Sequence, residues 1–87
     1  MTIVTRKITM EVADALHKGS RKFDFVPTHI GLRTGSVIRY TVMYKLKEVP
    51  HPIQSDRFRV TFVLNNDPRV HVGMSLVGLE KIEPDFE

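Results

Sequence analysis

The chain has 87 residues, a length typical of one small domain, and its lack of cysteine excludes disulfide bonds and cysteine-ligated zinc sites. The formal charge of +3 is uneven, because residues 1–79 carry 12 Lys or Arg against 6 Asp or Glu, whereas residues 80–87 carry one Lys against four acids. The sequence shows neither a signal-peptide pattern nor an apolar run of about 18 residues, so we expect a cytoplasmic protein with no membrane partner.

The chain begins with the pattern of a strand followed by a short helix. Residues 2–8 alternate loosely, as half-buried strands do. Thr9 has a side chain suited to a helix N-cap, and Gly19 is a natural stop, so we predict a helix of about ten residues between them. The predicted apolar stripe of this helix consists of Val12, Ala13 and Leu16. A helix this short needs to dock on a sheet to be stable.

A second strand is predicted at residues 21–26, where apolar and polar residues alternate. The alternation predicts Phe23 and Phe25 in the core. Lys22 and Asp24 would then face outwards or into a cleft. Pro27 ends the strand because it lacks a backbone N–H group.

The rest of the chain has the pattern of strands and loops. Strands are predicted at 36–46, 57–64, 69–73 and 74–82, with a loop at 47–56. The residues predicted to point inwards from the strand at 57–64 are Phe58, Val60 and Phe62. Gly78 interrupts the last strand and predicts a bulge or a close backbone approach. The order β-α-β-β-β-β-β favours an α+β domain in which a barrel-like sheet is plugged by the helix.

Three segments of the chain resemble the ASCH/PUA-like superfamily. They are HKGSRKFDF at the helix end, LRTGSVIRYTV at the long strand and VGMSLVGLEKI at the closing strand. Within that superfamily the chain is similar to a small phage and bacterial subgroup of unknown function, over residues 8–82. The resemblance implies a PUA-like pseudo-β-barrel of about five to six strands with one short N-terminal helix. The domain would span 1–83, followed by an acidic tail at 84–87.

The resemblance extends to individual residues of the family motif. The positions that match are Gly19, Arg21, Phe23, Asp24, Phe25, Gly35 and the GLE at 78–80. The positions that depart are Lys22, Val26 and Ser36, where the family has threonine, arginine and aspartate. In the family, the basic, threonine, acidic and arginine positions line a cleft between the helix and the barrel. The resemblance therefore implies that function resides in this cleft.

PUA-like domains commonly bind RNA or modified bases, and some small ASCH proteins resemble amidohydrolases that act on acylated cytidine. Those enzymes use a lysine, a threonine and a glutamate. Here Arg21 stands at the lysine position and Asp24 at the threonine position, and no glutamate is clearly placed. An arginine stays protonated and cannot act as a base, so the sequence disfavours enzymatic activity without excluding it, and we assign no catalytic residue.

Arg21, Lys22 and Asp24 form the first candidate binding site. In one interpretation Arg21 binds a phosphate or a base edge, and Asp24 orients it or accepts from an exocyclic amine. In the other, Lys22 and Asp24 lie on the solvent-exposed face of a half-buried strand. Arg21 would then pair at the surface with Asp24 or Asp14. The sequence leaves both interpretations open.

A second candidate site is a basic sheet face. Its members are Arg33, Arg39, Lys45, Arg57 and Arg59; the arginines could contact backbone phosphates or simply form a solvated surface. Tyr40 and Tyr44 point to the opposite face from Arg39, so they would not stack bases beside it. His29 lies in a loop over the predicted cleft and is either a ligand contact or an ordinary loop histidine. The histidine spacing predicts no metal site, and we expect no cofactor.

These observations predict a small PUA-like binding module that engages RNA or a modified nucleotide through the cleft. The alternative is a phage or mobile-element protein that binds and modulates a host protein. The basic body favours the first prediction, and the departures at Lys22 and Val26 favour the second. An acyl-cytidine amidohydrolase is a third, less favoured reading.

Overall fold

A computed structural model describes residues 3–65 and 68–82, which form one mixed β-sheet and one α-helix. The helix α1 spans Met10–Lys18, and the strands are β1 (Ile3–Ile8), β2 (Phe23–Pro27), β3 (Val37–Tyr44), β4 (Lys47–Val49), β5 (Arg57–Leu64) and β6 (Met74–Ile82). Short 3₁₀ turns follow β2 and β4, at Thr28–Ile30 and Pro52–Ser55. The α+β class with six strands and an N-terminal helix is confirmed. Within the described ranges, no helix is long and apolar enough to cross a membrane. The predicted tail at 84–87 lies outside them.

The sheet has the strand order β1-β3-β5-β6-β2, with β4 paired to β3 as a side hairpin. β1 runs parallel to β3, and all other pairs are antiparallel. Its two end strands, β1 and β2, do not pair with each other, so the sheet is not closed by backbone hydrogen bonds among the described residues. The side chain of Arg6 on β1 nevertheless donates to the Phe25 carbonyl on β2 at 3.3 Å. The sheet is therefore curved enough to bring its two edges within reach of one side chain.

Local sequence signals place both ends of α1. Thr9 has extended backbone and its hydroxyl accepts from the N–H of Val12 at 3.5 Å, as predicted for the N-cap. Gly19 adopts the left-handed conformation (φ 84°), and its N–H donates to the carbonyl of Leu16, which confirms the predicted stop. Ala13 and Leu16 are buried, so the helix docks on the sheet through the predicted stripe.

The core is one cluster of buried residues from α1, from the 3₁₀ turn at Pro52–Ser55 and from one face of the sheet. Its buried apolar residues are Ile8, Ala13, Leu16, Val26, Ile38, Tyr40, Val42, Ile53, Phe58, Val60, Val77 and Leu79. Most of these are β-branched or aromatic residues on strands, where such side chains pack well. The opposite face of the sheet is called the outer face below.

The predicted orientation of β2 is wrong. Asp24 and Val26 are buried, with only 4% of Asp24 exposed, whereas Phe23 and Phe25 lie on the outer face with 40% and 42% exposed. The alternation itself is correct, but alternation separates two faces without telling which one meets the core. Polar groups from other strands satisfy the buried carboxylate, as described below.

The predicted inward position of Phe62 is also wrong, because β5 contains a bulge. Val60 pairs with Leu79 and Phe62 pairs with Gly78, so Thr61 is an extra residue in the ladder. The bulge sends Phe62 to the outer face, where 44% of it is exposed. A Cβ atom on residue 78 would overlap the Phe62 ring, which confirms the close approach predicted at Gly78.

Two segments differ in secondary structure from the prediction. The predicted strand at 69–73 is a turn, and the predicted loop contains β4. β4 pairs with β3 through a tight hairpin in which Lys45 and Leu46 have positive φ angles of 49° and 65°. Such turns favour asparagine and glycine, and neither occurs here, so the sequence carried no hairpin signal.

Candidate functional site

A cavity of about 340 Å³ opens beside the C-terminal end of α1. It is lined by Leu16, Gly19, Arg21, Lys22, Phe58, Leu79, Glu80 and Lys81, and is called the helix cavity below. These residues come from the end of α1, the segment before β2, the start of β5 and the end of β6. The volume is within the range of small-molecule sites in proteins.

The helix cavity combines an apolar floor with a positively charged rim. The floor is formed by Leu16, Phe58 and Leu79, which belong to the buried core. The rim carries three cations and one acid, which are Arg21, Lys22, Lys81 and Glu80. This arrangement suits a ligand that has a flat apolar body and an anionic group.

The guanidinium of Arg21 is held by three contacts. Its Nε donates to the Phe23 carbonyl at 2.8 Å, and its Nη2 donates to Oδ1 of Asp24 at 3.4 Å. Its central carbon lies 4.7 Å from the centre of the Phe23 ring, within the range of a cation–π contact. Arg21 is therefore oriented before any ligand arrives.

Asp24 is the buried anchor behind this arginine. Its carboxylate accepts from the Tyr40 hydroxyl and from the N–H of Phe25, both at 2.9 Å. Nε of Arg6 also lies 3.4 Å from Oδ2, although without hydrogen-bond geometry. Asp24 does not line the helix cavity, so its contribution to that site is to position Arg21. The outward position predicted for Asp24 is wrong because groups from β1 and β3 converge on it.

Tyr40 connects this anchor to the core. Burial raises the pKa of its phenol well above the ordinary value, and the negative charge of Asp24 and the hydrogen bond to it act in the same direction. The phenol therefore remains a neutral hydrogen-bond donor to the Asp24 carboxylate. Its ring also packs edge-to-face against Phe58, which forms part of the cavity floor.

Lys81 is fixed on the rim by a second polar network. Its ammonium donates to the His17 carbonyl at 2.6 Å and lies 3.4 Å from Oδ2 of Asp56. Nδ1 of His17 is 2.6 Å from the same carboxylate oxygen. This network has no local sequence signal, because its members come from α1, β6 and the segment before β5, which are distant in the chain.

A second contact between a histidine and a carboxylate, His51 with Asp14, joins the segment after β4 to α1. The N–H of Ile53 donates to Nδ1 of His51 at 3.0 Å, which assigns the ring proton to Nε2. That nitrogen lies 2.7 Å from Oδ1 of Asp14 on α1. The hydrogen bond lowers the pKa of Asp14 below its ordinary value.

Within the described ranges, no group of three or more His, Asp or Glu residues could hold a metal ion.

The predicted site residues do not converge on one place. Arg21 and Lys22 line the helix cavity, and Asp24 lies behind it. The other predicted residues are His29, Arg33, Arg39, Arg57 and Arg59. His29 lies in the exposed turn after β2, and Arg33 lies in the loop that follows.

The predicted basic sheet face contains only part of its expected set. Arg39 and Arg59 are exposed on the outer face, where Arg59 pairs with Val37, two residues before Arg39. Arg57 is half-buried and donates to the carbonyls of Gln54 and Asp56, so it does not belong to an open basic surface. The Arg57 side chain therefore lies against the 3₁₀ turn that precedes β5.

No known protein-family model matches the chain. No curated protein matches it either.

Proposed function

We propose that this protein is a binding module that takes RNA or a nucleotide into the helix cavity. The observation that carries the proposal is the rim of three cations above an apolar floor. A nucleotide has the matching shape, because a flat base is joined to an anionic phosphate. Ligand sites typically combine such apolar walls with a few well-placed polar groups.

In this proposal the base packs against Leu16, Phe58 and Leu79, and the phosphate lies at Lys22. Lys22 is exposed, so its ammonium is accessible to a phosphate at the rim. Arg21 and Lys81 are already held by Asp24 and by the His17 carbonyl. Because these two cations are oriented in advance, little side-chain entropy is lost when a ligand binds.

The resemblance to PUA-like domains supports the same proposal. The resemblance implies a cleft between the helix and a pseudo-barrel, and the helix cavity opens between α1 and the sheet. Arg6 links the two edges of the curved sheet through its side chain, as expected of an open pseudo-barrel. We therefore propose membership of the small phage and bacterial subgroup together with the binding function.

The chemistry and position of Arg21 and Asp24 favour binding over hydrolysis. Arg21 remains protonated and cannot act as a general base. Asp24 is ion-paired with Arg6 and Arg21 and does not line the cavity. Neither group is placed to activate a water molecule over a ligand in the cavity.

Replacing Lys22 with alanine is expected to weaken the binding of ribonucleoside 5′-monophosphates by roughly 5-fold, or about 1 kcal/mol, because one charged phosphate contact is lost. For a short RNA, the slope of log affinity against log salt should also fall by about 1. Isothermal titration calorimetry at several salt concentrations measures both quantities.

The matched control is Lys47→Ala, which removes the same charge from β4, outside the cavity wall. It should leave the affinity close to that of the unmodified protein. Equal losses in the two variants would contradict the proposal, as would an affinity for nucleotides that does not change with salt.

A further inference from the structure

Three phenylalanines lie exposed on the outer face of the sheet. Phe23 and Phe25 are on β2, Phe62 is on β5, and each has about two-fifths of its surface exposed. Phe23 and Phe62 both pair with Gly78 on the strand between them, so they lie in one row across the sheet, whereas Phe25 lies in the adjacent row on the same face. These three residues are called the phenylalanine face. They do not line the helix cavity, so this is a separate surface.

Gly78 is what allows this row to form. A Cβ atom at this position would overlap the Phe62 ring and lie 2.6 Å from Oγ1 of Thr61. Without that atom, the ring lies across β6 towards β2. The rings of Phe23 and Phe25 are in edge-to-face contact, with centres 5.8 Å apart. The three exposed rings therefore lie close together on one face of the sheet.

The phenylalanine face is bordered by positive charge. Arg21 contacts the Phe23 ring, Arg59 is exposed on the same face of β5 as Phe62, and Arg39 is exposed beyond Arg59 on β3. Glu80 lies 3.7 Å from Arg59, and both side chains are largely exposed, so this pair is weak. Exposed rings next to arginines complement a molecule that has flat apolar groups along an anionic backbone.

We propose that the phenylalanine face binds single-stranded nucleic acid, with bases stacked on the rings and phosphates near Arg59 and Arg39. Stacking on aromatic side chains within a positive groove is the general way in which proteins hold single strands. A protein partner would also cover an apolar patch, but the bordering arginines favour an anionic ligand. This site goes beyond the cavity and would contact an RNA longer than a single nucleotide.

The test is fluorescence anisotropy with a labelled oligouridine, which forms no stable secondary structure. Phe25→Ala should weaken binding by about 10-fold, because one stacking ring is removed. Phe25→Leu keeps most of the apolar surface but removes the ring, and it should weaken binding nearly as much. Tyr44→Ala is the control, because Tyr44 is equally exposed on the β3–β4 hairpin and also lies near a lysine.

Gly78→Ala provides a second variant that keeps every aromatic residue. The new methyl group should displace the Phe62 ring, and oligouridine binding should weaken by about 3-fold or more. Thermal melting followed by circular dichroism shows that each variant is folded at the temperature of the binding measurement. Because the Phe62 side chain is exposed and can move outwards, we expect this variant to fold.

Several results would overturn this proposal. Unchanged oligouridine binding by Phe25→Ala would do so, as would full affinity in Phe25→Leu, which would indicate apolar burial rather than stacking. A dimer that Phe25→Ala converts to a monomer, with RNA affinity unchanged, would assign the face to a second copy of the chain. The cavity is tested independently, because mononucleotide affinity should depend on Lys22 and not on Phe25.

Discussion

Replacing Asp24 with alanine is expected to lower the free energy of unfolding by about 3–5 kcal/mol, because removing one member of a buried charge network leaves the others unpaired. The affected groups are Arg6, Arg21 and the Tyr40 hydroxyl, all of which converge on this carboxylate. Chemical denaturation at neutral pH, analysed for midpoint and slope, measures the change.

Two further variants show whether the loss comes from the buried network. Asp24→Asn keeps a side-chain oxygen as an acceptor for Tyr40 but removes the charge, so it should be less destabilising than alanine. Asp14→Ala removes an exposed carboxylate that is also bonded to another side chain, that of His51, and should destabilise the protein much less than Asp24→Ala. Equal effects of Asp24→Ala and Asp14→Ala would show that the network contributes little.

Replacing Tyr40 with phenylalanine is expected to lower the free energy of unfolding by about 1.5–3 kcal/mol, the usual contribution of a hydrogen bond to a charged group. The ring and its contact with Phe58 are kept, so the change isolates the hydroxyl that donates to Asp24. Denaturation of the two proteins side by side at neutral pH measures the difference. A Tyr40→Phe variant as stable as the parent would contradict this assignment.

The same tyrosine predicts a loss of stability at high pH. Burial raises the pKa of the Tyr40 phenol above its ordinary value of 10.0, so the folded state favours the neutral form. Its contribution is complete below pH 10 and decreases as the pH rises above that value, because the unfolded chain ionises there and the folded chain does not. Denaturation midpoints at about pH 9 and pH 11 should fall more in the parent than in Tyr40→Phe. Equal falls would show that the phenol ionises equally in both states.

The sequence predicted those parts of the fold that are determined by residues close together in the chain. Thr9 and Gly19 carry their own capping chemistry, so α1 was predicted with both of its ends. The orientation of β2 could not be predicted in this way, because its alternating pattern is satisfied equally well with either face inwards. The choice is made by Arg6, Arg21 and Tyr40, which together compensate the buried charge of Asp24.

The candidate sites show the same division. Arg21 and Lys22 were placed in a cleft through the family resemblance, and both line the helix cavity. Lys81 was missed because it lies in an acidic stretch of sequence, and only the fold brings it to the rim. The phenylalanine face was missed because exposed aromatic residues have the same alternation as buried ones. The bulge that exposes Phe62 has no signal within β5 itself, because the glycine that accompanies it, Gly78, lies on the paired strand.

The most direct test of the proposed function is a titration of ¹⁵N-labelled protein with uridine and cytidine 5′-monophosphates, followed by amide chemical shifts. We predict saturable shifts at Gly19, Lys22 and Leu79, whose residues line the helix cavity, and none on the β3–β4 hairpin at Lys47. An absence of shifts at millimolar nucleotide, or shifts that leave these three amides unchanged, would contradict the account.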